Sequence, residues 1–389
     1  MSRLADLIAQ LCPDGVEYRA LGDVAELKRG QAVTRKEIVE GQVPVIAGGR
    51  EPAYYIDRSN RQGETIVIAG SGAYAGFVSF WDEPIFVSDA FSIVVDRGTL
   101  QPRFVYHWLR GRQETIHALK SGGGVPHVYP KDVAKLRCPI PPLEVQREIA
   151  RILDQFTTLE AELEAELTIR RRQHSFYRSE LLARESLQKR VGVLEYKTLG
   201  DLFETRNGYT PSKRDHTAWD RDDVPWFRME DIRENGGILE SALISISNSA
   251  VKAGRVFPAN SILVATSATI GAHALVTVEH LSNQRFTSLQ PKEIAYGLFD
   301  PYFLYYYCFL LDEYCLNHTN VSSFASVDMR AFRAFEFPIL PLDVQSEIVS
   351  ILDQFTGLET ELEAEIEARR AQCAYYRDRL LSFPEKKAE

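Results

Sequence analysis

The sequence predicts an α/β (α+β) protein. Two globular domains are separated by a pair of long antiparallel coiled-coil helices, and the whole forms an internal pseudo-twofold repeat. Three observations carry this. The stretch from Pro142 to Thr157, Pro-Leu-Glu-Val-Gln-Arg-Glu-Ile-Ala-Arg-Ile-Leu-Asp-Gln-Phe-Thr, returns from Pro341 to Thr356 as Pro-Leu-Asp-Val-Gln-Ser-Glu-Ile-Val-Ser-Ile-Leu-Asp-Gln-Phe-Thr. Gln146 thus matches Gln345, an offset of 199 that holds without a gap from Pro102/Pro301 to Leu182/Leu381. Apolar residues then continue in alternating steps of three and four: Val145, Ile149, Ile152, Phe156, Leu159 and Leu163, mirrored by Val344, Ile348, Ile351, Phe355, Leu358 and Leu362. That spacing is the seam of a helix packed on another helix. Finally, Glu17-Tyr-Arg-Ala-Leu-Gly-Asp23 reappears as Glu195-Tyr-Lys-Thr-Leu-Gly-Asp201 with an offset of 178, so the repeat reaches beyond the helices.

In chain order, Leu4, Leu7, Ile8 and Leu11 fall on one helical face, which predicts a short amphipathic helix over 3–12. Cys12-Pro-Asp-Gly15 ends it with turn chemistry. In the second half the Glu-Tyr phrase follows a long helix, whereas in the first it follows only this short one. Helix 3–12 is therefore expected near the end of the second rod, closing the repeat into a ring. Thr65–Ala69 and Phe91–Val95 are β-rich runs bounded by Gly, Asp and Ser and read as strands. Pro102 to Leu119 reads as one helix, and Phe77 to Trp81 as a further strand after a hairpin loop. Ser261–Ala265, Phe286–Leu289 and a helix from Pro301 to Leu316 echo these in the second half. The difference between the offsets places most of an insertion between Gly208 and Asn260. Proline opens each long helix, where its missing N–H costs nothing, and about 40 residues at 1.5 Å each give a rod of roughly 60 Å. The expected divisions are 1–15, a short helix; 16–139, a first domain; 140–189, a first long helix; 190–338, a second domain; 339–383, a second long helix; and 384–389, a tail.

Apolar content of 45% and charged content of 25% are ordinary for a soluble globular chain. No apolar run reaches membrane-helix length, and Met1-Ser-Arg-Leu-Ala-Asp lacks a signal-peptide core. The five cysteines show no Cys-x-x-Cys pair and read as reduced, mostly buried thiols of a cytoplasmic protein. Net charge is −9, divided as +1 over 1–139, −1 over 140–189, −4 over 190–338 and −5 over 339–389. A nucleic-acid surface on the acidic second domain would need its basic residues gathered on one face.

The opening Pro-Leu-Glu/Asp-x-Gln-x-x-Ile-x-x-Ile-Leu-Asp of a long helix, present twice about 200 residues apart, resembles the specificity (S) subunits of type I restriction–modification systems. The resemblance spans the chain as variable domain, helix, variable domain, helix. It implies a non-catalytic DNA-binding subunit whose two target-recognition domains read the halves of a bipartite, asymmetric double-stranded DNA target. It also implies two methyltransferase (modification) subunits that methylate adenine at N6, restriction subunits in the full complex, and no cofactor of its own. The rival class is a coiled-coil scaffold carrying two protein- or carbohydrate-binding domains.

The residues agree with a non-catalytic part. There is no Gly-Lys-Ser/Thr phosphate loop and no Asn/Asp-Pro-Pro-aromatic methyltransferase motif. Gly70-Ser-Gly-Ala-Tyr-Ala-Gly76 is one residue too long for a dinucleotide fingerprint and precedes a strand. The eight histidines show no metal-ligand spacing, so no metal is expected. What remains are polar, basic loops at matching places. Arg and Lys suit phosphates and guanine edges, while Asn, Gln, Ser and Thr suit other base edges. The candidates for DNA in the first domain are Lys28, Arg29, Gln31, Thr34, Arg35, Lys36, Arg50, Ser71, Tyr74 and His127. In the second they are Arg206, Asn207, Tyr209, Lys213, Arg214, Arg228, Thr266, Ser267, Thr269, Gln284 and Arg285. Gln146, Leu153 and Phe156, with Gln345, Leu352 and Phe355, are the expected docking positions for partner subunits, because pairing of the rods occupies only one stripe of each.

Overall fold

A computed structural model describes residues 2–34, 38–122, 124–320 and 325–386. The chain divides into two compact units, Met1–Glu166 with Leu362–Glu389, and Leu167–Glu361. The boundaries cut through both long helices, Leu143–Leu182 and Leu342–Leu380, so each unit owns half of each.

In the first unit a four-stranded antiparallel sheet runs in the order Ala25–Arg29, Ala90–Val95, Thr65–Ala69, Val78–Trp81. A smaller sheet holds Tyr55–Ile56, Val43–Ile46 and Phe86–Val87. Every residue of Thr65–Ala69 is buried, which explains a run of apolar residues without alternation at the centre of the sheet. The second unit repeats the plan with Phe203–Asn207, Phe286–Pro291, Ser261–Ala265 and His273–Val276, then adds Ile238–Leu239 at the edge, parallel to its neighbour. That added strand and the helix Met229–Asn235 lie within the insertion expected between Gly208 and Asn260. Registers repeat as well: Ile66 faces Ile93 in the first unit, and Ile262 faces Leu289 in the second.

The Glu-Tyr phrases close each domain. Glu17–Ala20 pairs antiparallel with Arg137–Ile140, and Glu195–Thr198 with Glu336–Ile339. The N-terminal helix, Ser2–Leu11, buries Leu4 beside Leu381 and Phe383 in the core of the first unit. The Tyr18 hydroxyl donates to the Phe383 carbonyl (3.0 Å), and the backbone at Val16 pairs with Pro384 and Lys386. This helix and the turn after it thus pack against residues 381–386 within that unit.

Several expectations need correction. Pro102–Leu119 is two helices, Pro102–Arg110 and Gln113–Ala118, with the break at Arg112, whose backbone (φ −111°, ψ 21°) leaves helical geometry while Gly111 keeps it. The first long helix stops at Leu182, and Arg184–Val191 is a separate helix. The largest correction concerns the long helices' first turns. Val145, Ile149 and Leu153 are fully buried among Leu100, Phe104, Val105 and Trp108, and Ile348 and Leu352 are fully buried in the core of the second unit. These turns are core helices of the globular domains, so Leu153 and Leu352 cannot present themselves to a partner.

Gln146 and Gln345 are also withdrawn from any surface, each with no exposed area. Gln146 Oε1 accepts from the Gln101 N–H (2.8 Å), while Nε2 donates to the carbonyls of Thr99 (2.9 Å) and Pro141 (2.6 Å). Gln345 does the same 199 residues later, accepting from the Asp300 N–H (2.9 Å) and donating to Leu298 (2.7 Å) and Leu340 (2.9 Å). About two turns on, His107 Nε2 meets Asp154 Oδ1 at 2.8 Å, and its counterpart is the Tyr306 hydroxyl donating to Asp353 at 2.6 Å. Burial alone would raise the Asp154 carboxyl, but His107 and Arg103 hold it below its usual range.

Within each unit the two helix halves run antiparallel. In the first, Phe156 stacks on Tyr376 (5.5 Å, 18°) and Arg370 binds Glu160 (2.7 Å) and Glu164. In the second, Phe355 stacks on Tyr177 (5.3 Å, 22°) and His174 meets Glu359 (2.8 Å). Phe156 and Phe355 are therefore committed to pairing inside the chain, not to a docking stripe.

Removing either glutamine leaves three backbone groups without a partner, at roughly 1–3 kcal/mol for each buried one. Gln146→Ala and Gln345→Ala are each expected to cost about 3 kcal/mol or more in urea unfolding, whereas Glu361→Ala on the exposed helix surface changes stability by less than about 0.5 kcal/mol. Equal, small effects for all three would remove the glutamines' structural role.

Candidate nucleic-acid interface

The basic loops leave their sheets by the same device in both units. Strand Ala25–Arg29 ends at Gly30, whose N–H donates to the Ala90 carbonyl (2.8 Å), and Gln31 N–H donates to Val87 (2.9 Å). Strand Phe203–Asn207 ends at Gly208, whose N–H donates to Phe286 (3.1 Å), and Tyr209 N–H donates to Ser282 (2.8 Å). A Cβ on Gly30 would fall on the Ser88 carbonyl oxygen, and one on Gly208 on the Ser282 carbonyl oxygen. Only glycine lets the outgoing loop lie this close to the neighbouring backbone.

In the first unit this junction opens onto a cleft of about 400 Å³, with Arg29, Asp89, His127 and Tyr129 among its walls. Ser71 donates to the Asp89 carboxylate. His127 bridges the backbone of Ser71 and Ser121, donates from Nδ1 to the Val125 carbonyl (2.7 Å) and stacks on Tyr129 (6.0 Å, 11°). Arg50 lies over the exposed ring of Tyr74 at 4.9 Å. Lys28 is paired with Glu26 at 3.0 Å on the strand edge, and Gln31 is exposed beyond it. Thr34 is exposed, and the expected Arg35 and Lys36 lie outside the described residues.

In the second unit the cleft is larger, about 620 Å³, and gathers Lys213, Arg228, Gln284 and Arg285 with His216 and two tryptophans. Trp219 and Trp226 meet edge to face (5.2 Å, 85°). The Trp226 indole N–H donates to the Tyr209 carbonyl (2.9 Å) and that of Trp219 to Ser212 (3.1 Å), which staples the loop carrying Lys213 to strand Val224–Phe227. Gln284 accepts from the Thr210 hydroxyl (2.5 Å) and Arg285 N–H donates to Asn283 Oδ1 (3.0 Å), fixing the facing loop. Glu230 is the one acidic lining residue. A domain with net charge −4 thus concentrates cations at one opening, as an anion-binding face requires.

Other expected residues are not brought to this cleft. Arg206 donates to the Arg255 carbonyl (2.8 Å) and lies over Phe257. The Tyr209 hydroxyl donates to Ala250 (2.8 Å) and accepts from the Lys252 N–H (2.9 Å), so its hydrogen bonds are spent inside the unit. Thr266 is buried, and its hydroxyl shares a 2.8 Å bond with Thr287, which in turn donates to Asn207 Oδ1 (2.9 Å). These are corrections: Tyr209 and Thr266 support the loops instead of lining the surface. Ser267 and Thr269 form a separate turn around Ala268, whose φ is +66°, and Arg214 is exposed on the stapled loop. The sequence reading missed Trp219, Trp226 and His216, and in the first unit Asp89 and Tyr129. Two of the chain's four tryptophans within eight positions, with Lys213 and Arg214 before them and Arg228 after them, were the available signal.

The family described as type I restriction modification DNA specificity domain matches residues 13–169 and 194–368. The chain belongs to this family. It is 54% identical over 222 residues to the type I restriction enzyme EcoprrI specificity subunit of Escherichia coli, covering 54% of this chain and 55% of that one, so the match spans about half the length of that relative. It is 32% identical over 301 residues to the EcoR124I/EcoR124II specificity subunit of Escherichia coli, covering 72% and 71%. The fold is shared with the type I restriction–modification S subunit from M. genitalium, with a TM-score of 0.58 at 17% identity over 94% of this chain and 96% of that one. It is also shared with a chain from a structure on complex assembly and conformational transition of the type I system, with a TM-score of 0.59 at 19% identity over 95% and 98%. Among the described residues no helix is long and apolar enough to cross a membrane.

Gly30→Ala and Gly208→Ala test the junctions. Each places a methyl group on a carbonyl oxygen, and overpacking of this kind costs roughly 1–3 kcal/mol. Each is expected to lower the melting temperature and to weaken duplex DNA binding by the full chain. Unchanged binding by both variants would detach the junctions from the candidate interface.

Proposed function

We propose that this chain is the DNA sequence-specificity subunit of a type I restriction–modification complex. It reads a bipartite, asymmetric duplex target and directs N6-adenine methylation by two modification subunits, and restriction by further subunits, in the cytoplasm. The observation that carries this reading is one loop junction built twice with unlike walls: Asp89, His127 and Tyr129 in one unit, Lys213, Arg228 and two tryptophans in the other. A repeated frame with different linings suits two independent half-sites. The recognition domains are assigned to 16–139 and 190–338, followed by long-helix regions 140–189 and 339–383. The chain is non-catalytic and holds no cofactor, in keeping with a sequence that carries neither a methyltransferase nor a phosphate-loop motif.

Partner docking is reassigned from the buried leucines to two exposed aromatic residues at repeat-related positions. Phe176 is 60% exposed and Tyr375 is 59% exposed, each set edge to face on the next ring, Tyr177 (75°) or Tyr376 (74°). Large apolar rings left in water at both copies of one position fit two identical partners, one per unit.

The functional test is adenine-methylation mapping in a host carrying this chain with its modification subunit. A bipartite motif is expected, and exchange of residues 16–139 for those of another family member should change one half only. Alteration of both halves would rule out modular reading. The purified chain alone, given S-adenosylmethionine and duplex DNA, should transfer no methyl group; any transfer would contradict the non-catalytic assignment.

Phe176→Asp and Tyr375→Asp lie on exposed helix surface and leave the fold intact. Each should weaken association with the modification subunit by about 30-fold or more, the usual effect of an aromatic anchor worth about 2 kcal/mol. Normal co-purification of the double variant would dismiss this docking surface.

A further inference from the structure

We infer that the tryptophan-walled cleft of the second unit reads a guanine, with Arg228 as the base-reading residue and Lys213 and Arg285 as phosphate contacts. The inference rests on the reading of this chain as a specificity subunit. Arg228 follows strand Val224–Phe227, and its guanidinium lies 5.9 Å from the Trp226 ring, a contact that orients its plane. Its Nε is fully buried and reaches no acceptor, since the Glu230 carboxylate at 3.9 Å is too far for a hydrogen bond. The side chain is 27% exposed and Glu230 balances its charge without taking a hydrogen bond, so the guanidinium keeps donors for a ligand's acceptors. Both indole N–H groups are already spent on Tyr209 and Ser212, so the tryptophans offer walls and no competing donors.

The arginine fork matches the paired O6 and N7 acceptors of guanine. Adenine would set its N6 amino donor against the same fork. Lys213 and Arg285 are exposed on opposite loops of the cleft, and neither has an ion-pair partner among the described residues. Exposed, unpaired cations at the mouth suit backbone phosphates, which position the duplex without reading it.

The experiment uses the full chain assembled with its modification subunit. Its target is first mapped by adenine methylation, then tested on duplexes carrying every base pair at each position of that target. Arg228→Lys keeps the charge and loses the fork, and Arg228→Ala removes both. Each should reduce discrimination roughly 5- to 150-fold at a single G·C pair and leave the other positions as they were. Lys213→Ala and Arg285→Ala should weaken binding alike for all sequences and lower the slope of log affinity against log salt by about 1 each. If Arg228→Lys weakens all sequences equally, or leaves preference at every position intact, the assignment of Arg228 to a base is overturned. Absence of any bipartite motif with the wild-type chain would overturn the specificity-subunit reading first. An intact motif that ignores Arg228 overturns this inference alone.

Discussion

A buried glutamine fastens each globular domain to the helix that follows it. Gln146 and Gln345 each satisfy one N–H and two carbonyls at the junction of the domain's last strand, the start of its packed helix and the first turn of the long helix. A side-chain amide is suited to this place because it both donates and accepts, so it can cap chain segments of opposite need without carrying a charge into the core. The first turns of the long helix then complete the domain core through Val145, Ile149 and Leu153, or through Ile348 and Leu352. These contacts make the first turns of each long helix part of the domain core.

The second layer of the design is a set of aromatic and ionic pairs between antiparallel helix halves. Phe156 on Tyr376 and Phe355 on Tyr177 are the same pair written twice. The ionic layer differs: Arg370 collects three carboxylates in the first unit, whereas His174 faces Glu359 in the second. Three carboxylates raise the Arg370 pKa, but the group is nearly half exposed, and such surface networks add modestly to stability. The stacked rings, which bury apolar area, contribute more to pairing.

Recognition is separated from this frame. The glycine junctions let each loop leave its sheet at a fixed place, and loop composition then decides the surface. In the second unit two indoles immobilise the loop before any ligand arrives, so less ordering is needed on binding. Local charge also overrides the domain average: an acidic domain gathers Lys213, Arg228 and Arg285 at one cleft. Net charge was a poor guide here because fields at a groove depend on arrangement rather than on totals.

The sequence by itself determined the repeat, the existence and type of the long helices, the central strands Thr65–Ala69 and Ser261–Ala265, and the position of the insertion. These rest on local periodicity and on self-comparison, which need no knowledge of distant contacts. Cysteines, turns and the hairpin at Gly70–Gly76 were legible for the same reason. Only the tertiary structure decided which face of each long helix meets what. Leu153 and Leu352 lie beside the three-four seam and looked like spare surface, yet the domain core covers them. Gln146 and Gln345 looked like polar surface positions, since a glutamine's burial depends on backbone groups some 45 residues away that no local pattern reveals. The same limit hid Trp219 and Trp226, whose wall forms only when strand, stapled loop and facing loop converge, and it gave Tyr209 and Thr266 a surface role although their hydroxyls are bonded within the unit.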